Sequence, residues 1–341
     1  MHPMAGEKPE RKITWYRSPV GREELAALNQ RSDWKGMLQT LGYLGLLVLS
    51  GAAVWFAVGR FPLPVVLLLL FIYGTFYAFL LNAFHEFCHK SVFKTRALNT
   101  IFLQVVSFLS WSNPVLFWTS HQEHHKYTLH PPDDLEVVLP IKLTLKAFLK
   151  SAVVNPWDLY GRVKASIRLS SGRLEGEWEN ALFTPSAVAL RRSLFNWARI
   201  HLVVEVLIVI ISLYFHLWLV PVLITLAPFY GGWLQYLCNN TQHVGLQDNV
   251  PDFRLCTWTV ILNPFVRFLY WHMNYHTEHH MYAAVPCYNL GRLHDQIKAD
   301  LPPSPVGLYA MWKKIIGILK IQEVDTKYQY GAELPAHSSS Q

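Results

Sequence analysis

The chain has 341 residues, of which 52% are hydrophobic and 16% are charged, and its mean hydropathy is +0.18. A typical soluble domain carries about 25% charged residues. The composition therefore excludes a disordered chain, a collagen-like repeat and a small disulfide-rich scaffold, and it argues against an ordinary soluble enzyme. The formal net charge is +7, and 16 residues are histidine. Because no helix-turn-helix, zinc-finger or RNA-binding signature is present, we attribute the positive charge to membrane topology rather than to nucleic-acid binding.

Two long apolar runs come first in the chain, at residues 37–58 and 62–84. Each has the roughly 20 apolar residues that a membrane-spanning helix needs, and the short link between them predicts a tight helical hairpin. A second pair of apolar runs, at residues 200–219 and 220–238, predicts another hairpin. We therefore predict an all-α integral membrane protein with four spanning helices in two hairpins, and a helical cap that carries the polar residues.

Charge placement predicts the orientation of these spans. All but two of the lysines and arginines lie in three stretches outside the hairpins, at residues 1–36, 85–198 and 239–341. By the positive-inside rule these stretches and both termini are cytoplasmic, in a bacterial inner membrane or in the endoplasmic reticulum of a eukaryote. We divide the chain into a cytoplasmic N-terminal segment (1–36), a membrane domain (37–295) and a cytoplasmic C-terminal segment (296–341).

Two further segments lie between the hairpins. The segment at residues 97–118 is long enough to cross a membrane, but polar residues such as Gln104 and Asn113 interrupt it, as does Pro114. We predict a re-entrant or interfacial helix that does not cross, so the chain before and after it stays on one side of the membrane. Residues 166–192 are polar and contain two glycines, which predicts a surface loop.

Eight of the 16 histidines form three short clusters. On a helix, residues three and four apart share a face, so each cluster directs its imidazoles toward one point, and neutral imidazole is the commonest metal ligand in proteins. The two hairpins return the first and third clusters to the same side of the membrane, and the second cluster joins them if residues 97–118 do not cross. The clusters are His85-Glu-Phe-Cys-His89, His121-Gln-Glu-His124-His125 and His276-Thr-Glu-His279-His280.

His243, which follows the fourth predicted span, is a ninth candidate ligand. Asn239 lies four residues before it, so its amide could face the same metal directly or through water. Eight or nine nitrogens exceed the four ligands of a tetrahedral zinc and suit two metal ions with open positions for a reactant. Imidazole ligands leave iron, zinc, copper and nickel open. We favour a redox metal because the site adjoins the membrane, where unactivated C–H bonds are the abundant substrate.

The three clusters, spaced HxxxH, HxxHH and HxxHH around two apolar hairpins, resemble the membrane fatty acid desaturase–hydroxylase superfamily over roughly residues 37–295. The third cluster is most similar to that of bacterial fatty-acid-desaturase-like proteins. Members commonly have EHHxFP there, whereas this chain has Tyr282 and Ala283 in place of Phe-Pro and retains Pro286.

The resemblance implies an activity and a set of metal ligands. It implies a non-haem di-iron centre that uses O2 and two electrons to abstract hydrogen from a lipid-like chain and so introduce a double bond. The alternative on the same scaffold is a hydroxylase or ketolase of a lipid, carotenoid or natural product. The implied iron ligands are His85, His89, His121, His124, His125, His243, His276, His279 and His280, with Asn239 holding a water molecule at one iron.

Other polar residues accompany the clusters. Each cluster contains a glutamate (Glu86, Glu123 and Glu278), which we expect to accept an N–H from a ligand imidazole and so to fix its tautomer. His272, four residues before the third cluster, has three interpretations: a spare ligand, a base beside the ligands, or an interfacial histidine.

The implied chemistry requires electrons, and the sequence has no haem-binding, ferredoxin, Rieske or dinucleotide-binding pattern. We therefore predict a separate electron donor, either a ferredoxin or a cytochrome-type protein with its reductase, that docks on the basic cytoplasmic face. We also expect a lipid or acyl-chain substrate and no nucleic acid. Two rival functions stay open. A zinc-dependent membrane hydrolase would need neither O2 nor electrons, and a metal transporter would need ligands inside its spans, where only His201 and Glu205 qualify.

Overall fold

The structure, a computed structural model, describes residues 11–336. Within this range there is no β-strand, and extended segments pair only through isolated bridges. The predicted N- and C-terminal segments therefore lie partly outside the described residues. The first nine helices are α1 (Arg22–Leu28), α2 (Asp33–Ala57), α3 (Leu63–Tyr77), α4 (Leu80–Cys88), α5 (Arg96–Leu109), α6 (Pro114–Tyr127), α7 (Leu145–Ala152), α8 (Pro156–Ser170) and α9 (Gly176–Leu182). The later helices are α10 (Val188–Tyr214), α11 (Leu219–Leu223), α12 (Trp233–Asn239), α13 (Phe253–Cys256), α14 (Pro264–Leu269), α15 (His276–Met281), α16 (Cys287–Ile297) and α17 (Gly307–Val324).

Three helices of the described chain are long and apolar enough to cross a membrane. They are α2, α10 and the helix Leu63–Cys88, which comprises α3 and α4. Their exposed leucines, valines and isoleucines are the surface expected of helices in lipid. The prediction of an all-α chain with apolar helices long enough to cross a membrane is confirmed for the described residues. These helices overlap the predicted spans at residues 37–58, 62–84 and 200–219, although α10 begins earlier, and their crossing of the membrane stays a prediction.

The prediction that residues 220–238 form a single spanning helix is wrong. Residues 220–238 form α11, a short 3-10 helix (Ala227–Phe229) and α12, because Pro228 and the glycine pair that begins at Gly231 interrupt the helical hydrogen bonds. Other parts of the protein satisfy some of the freed backbone groups, and the Gly231 N–H donates to Val153 O at 2.9 Å. Such irregular backbone is tolerated at membrane depth when it is buried in protein.

The segment predicted to be re-entrant contains a sharp bend. α5 and α6 meet at 105°, which makes the pair either a broken span or a re-entrant loop. Asn113 determines the bend, since its side-chain oxygen accepts the N–H groups of Val115 and Leu116 while Pro114 begins α6. Each helix has 14 residues, or about 21 Å, which is shorter than the roughly 30 Å hydrocarbon core.

The predicted loop at residues 166–192 is wrong, because most of it is helical. α8 continues to Ser170 and packs along α10, and α9 follows after a short turn. The Arg168 guanidinium joins the two helices, donating to both carboxylate oxygens of Glu179 at 2.6 and 2.7 Å. The segment is therefore an ordered cover over the side of α10.

An N-terminal segment crosses the end of the molecule at which the histidines lie. The Trp15 indole stacks on Phe253 with ring centroids 4.1 Å apart, and its N–H donates to Lys126 O at 2.9 Å. The Tyr16 N–H donates to Pro251 O at 2.9 Å. These contacts tie the end of α6 to α13, two regions that flank the histidine clusters.

Gly74 of α3 allows the broken segment to approach the spanning helices. A Cβ at this position would lie 2.5 Å from Tyr230 O and would overlap the Tyr230 ring. Only glycine permits so close a contact between a helix and a neighbouring backbone. Gly231 approaches from the other side with φ +70°, and a Cβ there would lie 2.7 Å from Phe71 O.

We expect Gly74→Ala to destabilise the protein by about 1–3 kcal/mol through overpacking. Gly45→Ala in α2 is the matched control, because nothing lies within 4 Å of a Cβ there and alanine is the better helix former. Thermal unfolding in detergent measures both variants. A Gly74→Ala melting temperature equal to that of Gly45→Ala would contradict the close packing.

Candidate metal centre

The nine candidate histidines converge in two groups, with His85 in the last turn of the helix Leu63–Cys88 and the other eight outside the three candidate spans. Within each group, one nitrogen of every ring lies within 4.8 Å of a nitrogen of every other ring. The rings of the second group are all buried, and those of the first are buried or half-buried. The first group is His85, His89, His121, His125 and His279, and the second is His124, His243, His276 and His280.

The Nε2 atoms in each group face one another. In the first group, His121 Nε2 lies 2.8 Å from His85 Nε2 and 3.0 Å from His125 Nε2. In the second, His276 Nε2 lies 3.0 Å from His243 Nε2 and 3.1 Å from His280 Nε2. Nitrogens about 2.0–2.1 Å from one metal ion and at right angles around it would be about 2.9 Å apart. The spacing is therefore that of ligands around a common centre.

Each HxxHH cluster contributes to both groups. In α6, His121 and His125 belong to the first group and His124 to the second. In α15 the division is reversed, with His279 in the first group and His276 and His280 in the second. The expectation that each cluster points to a single centre is therefore wrong for HxxHH: at 3.6 residues per turn the third and fourth residues after the first lie on opposite sides of it, about 100° apart around the helix axis. The spacing thus lets one helix serve two adjacent centres.

The outer nitrogens of several rings have hydrogen-bond acceptors. His121 Nδ1 lies 2.7 Å from Glu136 Oε1, and His124 Nδ1 lies 2.8 Å from Asp134 Oδ2. His243 Nδ1 lies 2.8 Å from the carbonyl oxygen of Cys256. An N–H on Nδ1 leaves the Nε2 lone pair directed into the group, which is how proteins fix the tautomer of a metal-binding histidine.

The three predicted glutamates differ in their placement. Glu86 lies 3.0 Å from His85 Nδ1, as expected. Glu278 is buried but accepts from Thr259 and His294 instead of from a grouped histidine. For Glu123, the part of the chain that the structure describes shows no hydrogen bond to a histidine, and its carboxylate belongs to neither group.

Sequence reasoning missed the two acids that contact the second histidine cluster. Asp134 and Glu136 follow α6 in the turn after Pro131 and Pro132, where the chain folds back on its own histidines. The only sequence signal was an acidic run shortly after HxxHH.

His272, for which the sequence left three interpretations, lies outside both histidine groups. It occupies the turn before α15, where its backbone has φ +59°.

Burial favours the neutral form of most of these imidazoles, although at His124 the contact with Asp134 outweighs burial and raises the pKa. Desolvation, followed by repulsion from neighbouring rings, lowers the pKa of His276, His279 and His280 well below the usual value. Burial also lowers the pKa of His89 and of His243 to about 3. Burial raises the pKa of Glu136. Neutral rings offer lone pairs at neutral pH, as metal binding requires.

A cavity of about 230 Å³, which we call the histidine cavity, adjoins both groups. Its wall includes His121 of the first group and His276 of the second. Asn239, predicted to act through water, lines it as well, together with the apolar side chains of Leu81 and Phe117. The side chain of Asn239 therefore lines the same cavity as histidines of both groups.

The family model for fatty acid desaturases matches residues 61–312 of this chain. The chain belongs to the fatty acid desaturase family. A comparison with curated proteins found no match. The predicted family is thereby confirmed, and with it the coarse assignment of a membrane oxidoreductase with a histidine-rich site that could hold metal.

The residues of this desaturase-family protein fit the di-iron centre that the family implies. Imidazole nitrogen is a suitable ligand for iron, and two adjacent groups of five and four rings match two metal positions. The buried His89 Nε2 has no hydrogen-bond partner among the described residues, as expected of a nitrogen that binds metal instead. Bound metal would thus satisfy polar atoms that the protein leaves unpaired.

Asp134→Asn should weaken metal binding about 10–100-fold, because an amide can present an N–H to His124 and turn its lone pair away from the second group. Asp133→Asn is the matched control, since that side chain pairs loosely with Arg11 at 3.7 Å and is partly exposed. Metal retention in competition with a chelator measures both variants. Equal retention would show that Asp134 does not orient His124.

Proposed function

We propose that this protein is an O2-dependent membrane oxidoreductase that abstracts hydrogen from an unactivated C–H bond of a lipid-like chain and introduces a double bond. The observation that carries the proposal is the pair of adjacent histidine groups with Nε2 atoms directed inward, in a chain of the desaturase family. The two hydrogens removed from the substrate, which are two electrons and two protons, together with two electrons from a donor and two protons from solvent, reduce O2 to two molecules of water.

We propose two iron ions as the cofactor, one in each group. Iron would supply the activation of O2 that a protein side chain does not provide. The first ion would be held by rings from α4, α6 and α15, and the second by rings from α6, α15 and His243. Asn239 would hold water beside the second group, because it lines the histidine cavity. Glu86, Asp134 and Glu136 would keep their histidines in the metal-binding tautomer.

Hydroxylation or ketolation on the same scaffold is the alternative outcome. Hydrogen abstraction is common to these reactions, and the mass of the product distinguishes them, because desaturation removes two hydrogens whereas hydroxylation adds one oxygen. The rival transporter is disfavoured because His201 and Glu205 of α10 bond to Phe108 O and to Thr225, away from both groups. A zinc hydrolase would need only one of the two groups.

We propose a separate electron donor of the ferredoxin or cytochrome type, with its reductase, on the side of the membrane where the histidines lie. We assign that side to the cytoplasm, because the three lysine- and arginine-rich stretches flank the clusters and the positive-inside rule places such stretches there. Both termini would then be cytoplasmic.

Metal content tests the proposal together with the residue assignments. We expect about two irons per chain after expression in iron-replete medium, and loss of iron from the second group in His276→Ala because that group would keep only three rings. His272→Ala is the matched control, since His272 lies outside both groups. One stoichiometric zinc in place of iron, or equal iron loss in the two variants, would contradict the assignment.

Reduced donor, O2 and a panel of lipids then test the reaction itself. The expected product is lighter than the substrate by two hydrogens, as read by mass spectrometry. A product heavier by one oxygen would show that the reaction is hydroxylation rather than desaturation. Hydrolysis of a lipid in the absence of O2 would contradict the assignment of an oxidoreductase.

A further inference from the structure

A second and larger cavity lies beside the histidine cavity. It has a volume of about 530 Å³, within the range of about 300–1,000 Å³ typical of small-molecule sites. Five large aromatic side chains line it, and we therefore call it the aromatic cavity. They are Phe84, Trp111, Phe117, Trp178 and Trp197.

The two cavities are separated by single side chains. Leu81, Phe117 and Glu136 line both of them. The Phe117 ring stacks on the His121 ring with centroids 4.7 Å apart. A molecule in the aromatic cavity would therefore lie one side chain away from the first histidine group.

Every ionisable side chain that the described residues place on the wall of the aromatic cavity already has a partner. Glu136 contacts His121 and accepts the Ser120 hydroxyl, and Glu179 accepts two N–H groups from Arg168. Arg162, the one cation on the wall, donates from Nε to Asp158 at 3.1 Å and from Nη1 to two backbone carbonyls at 3.3 Å. Among the described residues, an anionic head group in this cavity would therefore meet two carboxylates and one guanidinium that Asp158 already pairs.

The neutral polar groups of the wall are also largely engaged with the protein. Asn113 caps α6 and donates to Leu194 O at 3.0 Å. The Trp111 N–H donates to Thr225 O at 3.1 Å, and the Trp178 N–H donates to the Ser120 hydroxyl at 3.0 Å. The cavity thus offers aromatic and aliphatic surface with few free hydrogen-bonding groups.

We propose that the aromatic cavity binds the substrate, and that this substrate is an uncharged, hydrocarbon-rich molecule rather than a fatty acid anion or an acyl thioester with a phosphorylated carrier. A negative charge placed in this cavity would face the carboxylates of Glu136 and Glu179 and would have to compete with Asp158 for Arg162, which is unfavourable. The inference rests on the proposed function, since it names the substrate class of the same site.

Binding measurements with a matched set of ligands test the inference. Hexadecanol, palmitate and palmitoyl-CoA carry the same saturated chain and differ in their head groups. Tritiated hexadecanol would be bound to the full-length protein in nanodiscs of uncharged lipid at pH 8, with empty nanodiscs as the background, and the other two ligands would compete. We expect hexadecanol to bind at least about tenfold more tightly than either competitor, a free-energy difference of about 1.4 kcal/mol.

Variants locate the site. Ala165→Trp places a large side chain from α8 in the aromatic cavity, which Ala165 lines, and should weaken hexadecanol binding about tenfold or more. Ile167→Trp on the same helix is the matched control, because Ile167 is 56% exposed and does not line the cavity. Thermal unfolding of both variants shows whether they fold equally well. Should Ala165→Trp fail to fold, Ser166→Trp, which also lines the cavity, replaces it.

The outcomes separate this inference from the proposed function. Tighter binding of palmitate or palmitoyl-CoA, no saturable binding of hexadecanol, or equal affinities in Ala165→Trp and Ile167→Trp would overturn the inference, and oxidation of a charged lipid would still uphold the function. Binding of hexadecanol in the predicted order, without oxidation of any lipid by the iron-loaded protein and donor, would support the inference and overturn the function.

Discussion

The structure depends on holding nine imidazole rings around two points with their Nε2 atoms about 3 Å apart. A neutral imidazole has one N–H and one lone pair, and Asp134, Glu136 and the carbonyl of Cys256 bind the outer N–H groups. The inner lone pairs then face one another in a buried region, which is unfavourable unless a cation lies between them. The arrangement is best explained as a metal site whose protein groups are positioned in advance.

Holding the rings at one depth requires several separate parts of the chain. The helix Leu63–Cys88 delivers the first histidines at its end, and α6 reaches them because the α5–α6 bend of 105° turns the chain back. The N-terminal segment binds α6 to α13 through Trp15. Next to the histidine groups, the charged side chains on the wall of the aromatic cavity are paired within the protein. The candidate metal centre therefore adjoins a cavity whose free surface is mainly apolar.

The sequence predicted the parts of this architecture that repeat at a regular spacing. Apolar runs located three helices long and apolar enough to cross a membrane, and histidine spacing located the rings, because helical periodicity places residues three and four apart near one another. The broken segment at residues 220–238 was missed because composition does not show that Gly231 and Val153 pair their backbones. Asp134 and Glu136 were missed because their role depends on a turn that returns the chain to α6, and the order in α8 and α9 depends on the Arg168–Glu179 pair.

We infer that the chain binds two metal ions, one in each of the two adjacent histidine groups. Anomalous X-ray diffraction from crystals of the iron-loaded protein, recorded on both sides of the iron absorption edge, tests it most directly. We expect two iron peaks, one among His85, His89, His121, His125 and His279 and the other among His124, His243, His276 and His280. A single peak shared by the two groups, or peaks away from these rings, would contradict it.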